Sequence, residues 1–237
     1  MRAVILAGGR GTRLAPYTTV LPKPLMPIGD VPIIEIVIRQ LRYFGFKRIT
    51  LAVGHLGELI DAYLRSRRQR FDGVEIDFAY ENQPTGTAGA LGGIPGLDQT
   101  FLAMNGDILT DLDYAKLIAH HCSTGVALTI ATARRRAKID FGVIESDDKG
   151  HVRGYLEKPE QSYSVSMGVY VYEPRALASI PRGGFLDFPD LVHCLLKQGD
   201  RVGTYMWDGY WLDIGRPEDL QLASEQFPRM SGGFHID

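Results

Sequence analysis

Short runs of β-branched residues alternate with stretches of helical periodicity from the start of the chain, and this alternation constrains the fold more than any other property of the sequence. Residues 3–7 read as a strand, 33–44 carry apolar side chains at helical spacing, 48–53 read as a strand and 56–64 as a helix. The pattern continues with a strand over 75–80, a short helix over 87–91, a strand over 101–104, a helix over 114–121 and a strand over 126–133. Such a succession predicts an α/β fold, a three-layer arrangement with a mainly parallel sheet and helices on both faces. Ligands then sit beyond the carboxyl ends of the strands. After about residue 140 the pattern shifts to short strands (142–145, 151–157, 165–172 and 202–206) broken by helices near 175–180 and 187–197. This half reads as a smaller β-rich sheet, inserted or appended, that forms the second wall of a cleft. A helix with proline in its first turn spans 217–227, so the reading is one domain over 1–227, its two parts being about 1–135 and 136–210, with a frayed tail over 228–237.

At 237 residues, 45% hydrophobic and 23% charged, the chain is long enough for one large α/β domain with a full core. Its formal net charge of −2 provides no overall basic field for nucleic acid, and the local clusters Arg65 to Arg70 and Arg134 to Arg136 read as solvated helix ends or loops. Cys122 and Cys194 stand far apart, outside any C-x-x-C pattern, as expected of buried apolar residues in a reducing compartment. The apolar stretch at the N-terminus is too short for a signal peptide or a membrane span, so the reading is cytoplasmic, with neither membrane nor nucleic acid as partner. The apolar helices leave room for a homo-oligomer.

The first predicted strand runs straight into Leu6-Ala7-Gly8-Gly9-Arg10-Gly11-Thr12-Arg13-Leu14. Glycines let backbone N–H groups approach a polyphosphate closely and arginines supply forked donors, so the stretch reads as a phosphate cradle. It is not a dinucleotide fingerprint, because counting from Gly9 and Gly11 puts Leu14 where the third glycine belongs, and no P-loop string occurs in the chain.

Two acidic residues follow predicted strands beside glycine: Asp107 in Asn105-Gly106-Asp107, and Asp213 in Asp213-Ile214-Gly215. Carboxylates at strand ends suit coordination of Mg²⁺ on a nucleotide phosphate, although a lone aspartate there is more often a turn residue. Lys23 in Pro22-Lys23-Pro24 and Lys158 before Pro159 are flanked by proline, which predicts extended backbone at both and a lower ordering cost for aiming each ammonium at an anion. Asp140-Phe141-Gly142 lacks the accompanying kinase motifs, and its glycine is the meaningful member. His120-His121 lies on a predicted surface helix without a partner at ligand spacing, and His55 borders the site with no assigned role.

In their order, these motifs, together with Gly86-Thr87-Ala88-Gly89-Ala90, Phe141-Gly142, Glu157-Lys158-Pro159 and Trp211-Leu212-Asp213-Ile214-Gly215-Arg216-Pro217, resemble the sugar-1-phosphate nucleotidyltransferases. The likeness runs from Met1 to about Phe227 and looks strongest toward short mannose- and heptose-1-phosphate guanylyltransferases. The resemblance implies an α/β fold with a Rossmann-like three-layer core, and transfer of a nucleotidyl group from an NTP to a sugar 1-phosphate, with Mg²⁺ and release of pyrophosphate. It makes 1–135 the nucleotide-binding part and 136–210 the sugar-binding part. By residue, it implies that Leu6, Ala7, Gly8, Gly9, Gly11, Thr12, Arg13, Lys23, Glu81, Pro84, Gly86, Thr87 and Asp107 bind the nucleotide. Gly142 and Glu157 would contact sugar hydroxyls, Lys158 the sugar phosphate, and Asp107 and Asp213 the metal; Arg13, Lys23, Asp107, Lys158 and Asp213 form the catalytic set. No covalent intermediate is required, since an ionised phosphate oxygen can attack in line.

Relatives using dTTP or UTP often carry glutamine five residues before the glycine at 86, where this chain has Glu81. A carboxylate accepts from guanine N1–H and N2–H₂ and offers no donor to a pyrimidine carbonyl, so GTP is favoured. Gln83 stands close enough to take that place if the loop alignment shifts, which keeps a dTTP or UTP enzyme open. A cytidylyltransferase acting on a non-sugar phosphate uses a similar cradle, and a nucleotide-sugar-binding regulatory subunit can be built on the same fold, so both stay open as well.

Overall fold

The computed structural model describes residues 1–235. Its main sheet has seven strands: β1 (Arg2–Ala7), β4 (Arg48–Val53), β5 (Glu75–Tyr80), β6 (Phe101–Asn105), β8 (Leu128–Lys138), β11 (Glu160–Tyr172) and β12 (Val202–Trp207). Their order is β12-β8-β11-β6-β1-β4-β5. The block β6-β1-β4-β5 is parallel throughout, β12 is parallel to β8, and β11 runs antiparallel to both of its neighbours. Small antiparallel pairs join β2 (Pro27–Ile28) to β3 (Val31–Pro32), β7 (Ile108–Thr110) to β13 (Trp211–Asp213), and β9 (Val143–Ser146) to β10 (Val152–Leu156).

The period of two along each strand divides the core into two layers. Ala3, Ile5, Leu51 and Met104 face the layer built by α1 (Ile33–Tyr43), α2 (Gly57–Ser66), α4 (Tyr114–Thr124) and α6 (Pro217–Met230). Val4, Ala52, Ala103 and Tyr170 face α3 (Gly86–Gly92) and α5 (Phe188–Lys197). Helix α1 is held to α2 and the turn after it by Glu35, whose buried carboxylate accepts from Tyr63 Oη at 2.6 Å and Arg70 Nη1 at 2.9 Å and also pairs with Arg39. Burial alone would raise the Glu35 pKa, but the hydrogen bonds from Tyr63 and Arg70 and the charge of Arg39 prevail and hold it below the usual carboxylate range.

Several expectations are corrected. The strands after residue 140 do not form one separate sheet: β11 is central in the main sheet, β12 is its edge, β13 pairs with β7, and β9 and β10 form a ribbon of their own. Residues 167–172 of β11 are buried on both faces, as a central strand requires. The segment after residue 227 is packed rather than frayed, because α6 continues to Met230 and the fully buried Phe234 meets Phe227 and Tyr210 edge-on or tilted; residues 236 and 237 of that predicted tail lie outside the described residues. Cys122 is exposed and Cys194 half-buried. His121 is buried, not on the surface; its ring nitrogens lie 2.7 Å from Thr129 Oγ1 and 3.1 Å from Glu173 Oε1. Arg134 to Arg136 sit on strand β8, not in a loop.

Candidate active site

The block β6-β1-β4-β5 reverses direction of growth between β1 and β6, and the crevice beyond their carboxyl ends is where an α/β sheet of this kind places a ligand. A cavity of about 420 Å³ opens there. Leu6, Ala7, Gly8, Gly9, Gly11, Thr12, Arg13, Lys23, Glu81, Pro84, Gly86, Thr87 and Asp107 all line it. Thirteen residues spread over a hundred positions of sequence therefore meet in one wall.

The glycines serve close approach. A Cβ on Gly8 would meet the carboxylate of Glu81, which lies directly against it, and that carboxylate also accepts from Thr85 Oγ1. Gly11 has φ of 62° and is backed by Thr18, whose hydroxyl donates to the Gly11 carbonyl at 2.8 Å. Glu81 and Thr18 thus back the loop at Gly8 and Gly11. Arg13 extends from its far end along Gly215, with Nη1 3.3 Å from where a Cβ would stand.

Lys23 does not have the extended backbone its prolines predict. Pro22 is extended, but Lys23 opens a 3₁₀ turn, Lys23–Leu25, that carries its buried side chain inward. The ammonium pairs with Asp107 Oδ2 and lies 3.9 Å from Asp213 Oδ1. The other Asp107 oxygen, Oδ1, is buried without a hydrogen-bond partner. Asp213 is not in the cavity lining, yet the antiparallel pairing of β13 with β7 sets it opposite Ile108, next to Asp107. Burial, then the charge of Asp107, raises the Asp213 pKa against the opposing pull of Lys23 and Arg13.

Gly142, Glu157 and Lys158 stand apart from this lining. They ride on the β9–β10 ribbon and its return to β11, where the Tyr155 hydroxyl packs against Gly142 and donates to Glu157 Oε2 at 3.1 Å. Lys158 is exposed and takes a left-handed φ of 46°, again not the extended geometry its proline predicts.

Asp187 is a cavity residue that the motifs do not reveal. The segment before α5 crosses the start of α3: Leu186 N–H donates to the Thr85 carbonyl at 2.8 Å, Thr87 N–H to Asp187 Oδ1 at 3.3 Å, and Phe188 N–H to Thr87 Oγ1 at 3.0 Å. Gly86, at φ of 81°, has no room for a side chain, since a Cβ would stand 2.5 Å from the Leu186 carbonyl oxygen. An aspartate before a Pro-containing helix start reads only as a cap, so no sequence signal marks it.

The profile of a protein family described as Nucleotidyl transferase matches residues 2–229, almost the whole described chain. The chain belongs to this family. Among similar proteins, a UTP–glucose-1-phosphate uridylyltransferase of Synechocystis sp. is 36% identical over 94% of this chain and 62% of its own length. A mannose-1-phosphate guanylyltransferase catalytic subunit beta of Drosophila melanogaster is 31% identical over 98% of this chain and 66% of its own. The chain thus spans roughly two thirds of these nucleotidyl transferase relatives. The crystal structure of HddC from Yersinia pseudotuberculosis, 29% identical, superposes with a TM-score of 0.72 over 95% of this chain and 99% of that one. A second structure of HddC from Yersinia pseudotuberculosis, with the same TM-score, is complexed with GMP-PN. Among the described residues no helix is long and apolar enough to cross a membrane.

Proposed function

We propose that the protein transfers a nucleotidyl group from an NTP to a sugar 1-phosphate, forming an NDP-sugar and pyrophosphate, with GTP as donor and a mannose- or heptose-type acceptor. The observation that carries this reading is the single cavity in which the glycine loop, the Lys23–Asp107 pair and Glu81 share one wall. In it the glycine loop, Thr12 and Arg13 bind the triphosphate, and the Glu81 carboxylate, fixed beside Gly8, accepts from the donor edge of guanine. Pro84, Gly86 and Thr87 shape the wall around the base.

The reaction brings two anions together, so positioning and charge neutralisation are the protein's main task. Lys23 supplies positive charge at the α-phosphate, Arg13 at the other phosphates, and Lys158 orients the acceptor phosphate while Gly142 and Glu157 meet sugar hydroxyls. Asp107 Oδ1, buried without a hydrogen-bond partner, and the Asp213 carboxylate near it supply hard oxygen donors of the kind a divalent cation takes. Asp107 and Asp213 would hold Mg²⁺, which when bound supplies neutralisation of phosphate charge.

Pyrophosphate release across GTP, dTTP, UTP, CTP and ATP, each with mannose, heptose, glucose and N-acetylglucosamine 1-phosphates, tests the proposal. Release with GTP and one acceptor is expected, and silence with every pair would overturn it. A UTP enzyme is the second reading, favoured by the 36% identity to a uridylyltransferase; release with UTP alone would establish it and remove the role given to Glu81.

A further inference from the structure

The run Arg134 to Arg136 has no task in the nucleotide cavity, which none of the three lines. Their places on β8 differ. Ala131 and Ala133 belong to the core layer under α1, α2, α4 and α6, so by the period of two Arg135 projects from that face and Arg134 and Arg136 from the other. Because β11 is antiparallel to both β6 and β8, those two strands run the same way. They start level, with Tyr172 between Phe101 and Leu128, but β6 stops at Asn105 whereas β8 continues to Lys138. Arg135 thus stands beyond the carboxyl end of the sheet, the end at which the crevice opens.

What seats Arg135 there is Trp211. The guanidinium carbon Cζ lies 4.8 Å from the centre of the Trp211 ring, over its face. The ring is itself held, since Nε1 donates to the Met167 carbonyl at 2.9 Å. Trp211 and Asp213 are alternate residues of β13 and share a face, and Asp213 Oδ1 is 3.9 Å from Lys23 Nζ. The seated cation therefore flanks Asp213 outside the nucleotide cavity, which neither Arg135 nor Trp211 lines. Among the described residues Arg135 has neither a hydrogen bond nor an ion pair. A guanidinium over an indole face keeps its N–H edge free, and a fork of donors without an acceptor suits a phosphate.

We propose that Arg135, seated on Trp211, binds the phosphate of the acceptor sugar 1-phosphate. This deepens the functional reading above and rests on it for the identity of the anion. Arg13 and Lys23 line the cavity that takes the nucleotide. An in-line attack brings the acceptor in opposite the leaving pyrophosphate, hence from outside the wall that holds the triphosphate. Arg135 is a cation on that outer side, past Asp213, and it joins Lys158 in neutralising the acceptor.

Trp207 and Trp211 are the two tryptophans of the chain, so Trp207→Phe leaves emission from Trp211 alone. The full chain carrying that substitution, with Mg²⁺ and either GDP or UDP present, is titrated with mannose, heptose and glucose 1-phosphates, with mannose and with inorganic phosphate. A saturable change in emission is expected with a sugar 1-phosphate, none with mannose, and one with inorganic phosphate only at far higher concentration. Adding Arg135→Gln should abolish it. No change with any sugar 1-phosphate, an equal response to inorganic phosphate, or a change that survives Arg135→Gln would overturn the proposal. In the pyrophosphate assay, Arg135→Gln should raise the KM for the acceptor about tenfold or more, as loss of a hydrogen bond to a charged group does. The KM for the NTP and the melting temperature should stay those of the parent protein; equal rises in both KM values, or no rise in either, would count against Arg135. Because emission is read without turnover, silence of the pyrophosphate assay beside an emission change that depends on Arg135 would strike the functional reading and leave the anion site standing.

Discussion

A carboxylate oxygen of Glu81 occupies the space that a Cβ on Gly8 would fill. The residue proposed to read the base is therefore positioned by the absence of a side chain in the phosphate loop. Gly8→Ala should displace Glu81 and raise the KM for GTP about tenfold or more while leaving the fold intact, since a bidentate hydrogen-bonded contact to a base carries about 1–3 kcal/mol. Steady-state kinetics with GTP varied, set beside the melting temperature, separate the two effects.

Lys23→Met should leave Asp107 and Asp213 facing each other with the nearest cation gone. Turnover should fall roughly 10²–10³-fold, the usual cost of removing one preorganised charge from a reacting centre. In chelator the variant should also melt lower than the parent protein, and Mg²⁺ should raise its melting temperature by more than it raises the parent's. An equal metal response in both proteins would separate Lys23 from the carboxylate pair.

Glu35 gives a pH signature. Its pKa is lower in the folded chain than in the unfolded one, so its contribution to stability is complete above the ordinary carboxylate range and is lost as pH falls through the folded-state value. Glu35→Gln should destabilise at neutral pH by about 1.5–3 kcal/mol, the usual loss when a hydrogen bond to a charged group is removed and the arginines left behind reach solvent. The gap between variant and parent should narrow on acidification, which urea unfolding across pH 3–7 would display as converging midpoints.

Asp187→Ala should loosen the crossing of the α5 entry over α3, because Thr87 N–H loses its acceptor. An N-cap-type bond of this sort contributes about 1 kcal/mol, so a modest fall in melting temperature is expected with a larger rise in the KM for nucleotide. Asp187→Asn, which keeps an acceptor oxygen, should recover most of both.

The lining of the cavity was legible because much of it is local in sequence. Leu6 to Arg13 is a contiguous turn, and Lys23, Gly86 and Asp107 each sit in a short, distinctive string. Asp213 was legible for the same reason, although what brings it to Asp107 is the pairing of two three-residue strands that periodicity cannot resolve. Asp187 was not, since its place in the cavity depends on a crossing between segments a hundred residues apart. His121 misled because its neighbours make a polar helix, whereas its partners Thr129 and Glu173 lie on the strand and turn that α4 covers. The separate second sheet failed for a topological reason. Short strands after residue 140 look like an appendage unless it is known that β11 returns to pair with β6.

That return has a bearing on how the protein comes into being. During synthesis, a nascent chain that has reached residue 135 holds the whole phosphate loop but leaves the edge of β6 open, because β11, its partner, has not yet been made. The wall of the cavity closes only when residues 186–188 emerge and cross the start of α3. A product that ends before residue 186 therefore lacks this part of the cavity wall, however complete its phosphate loop.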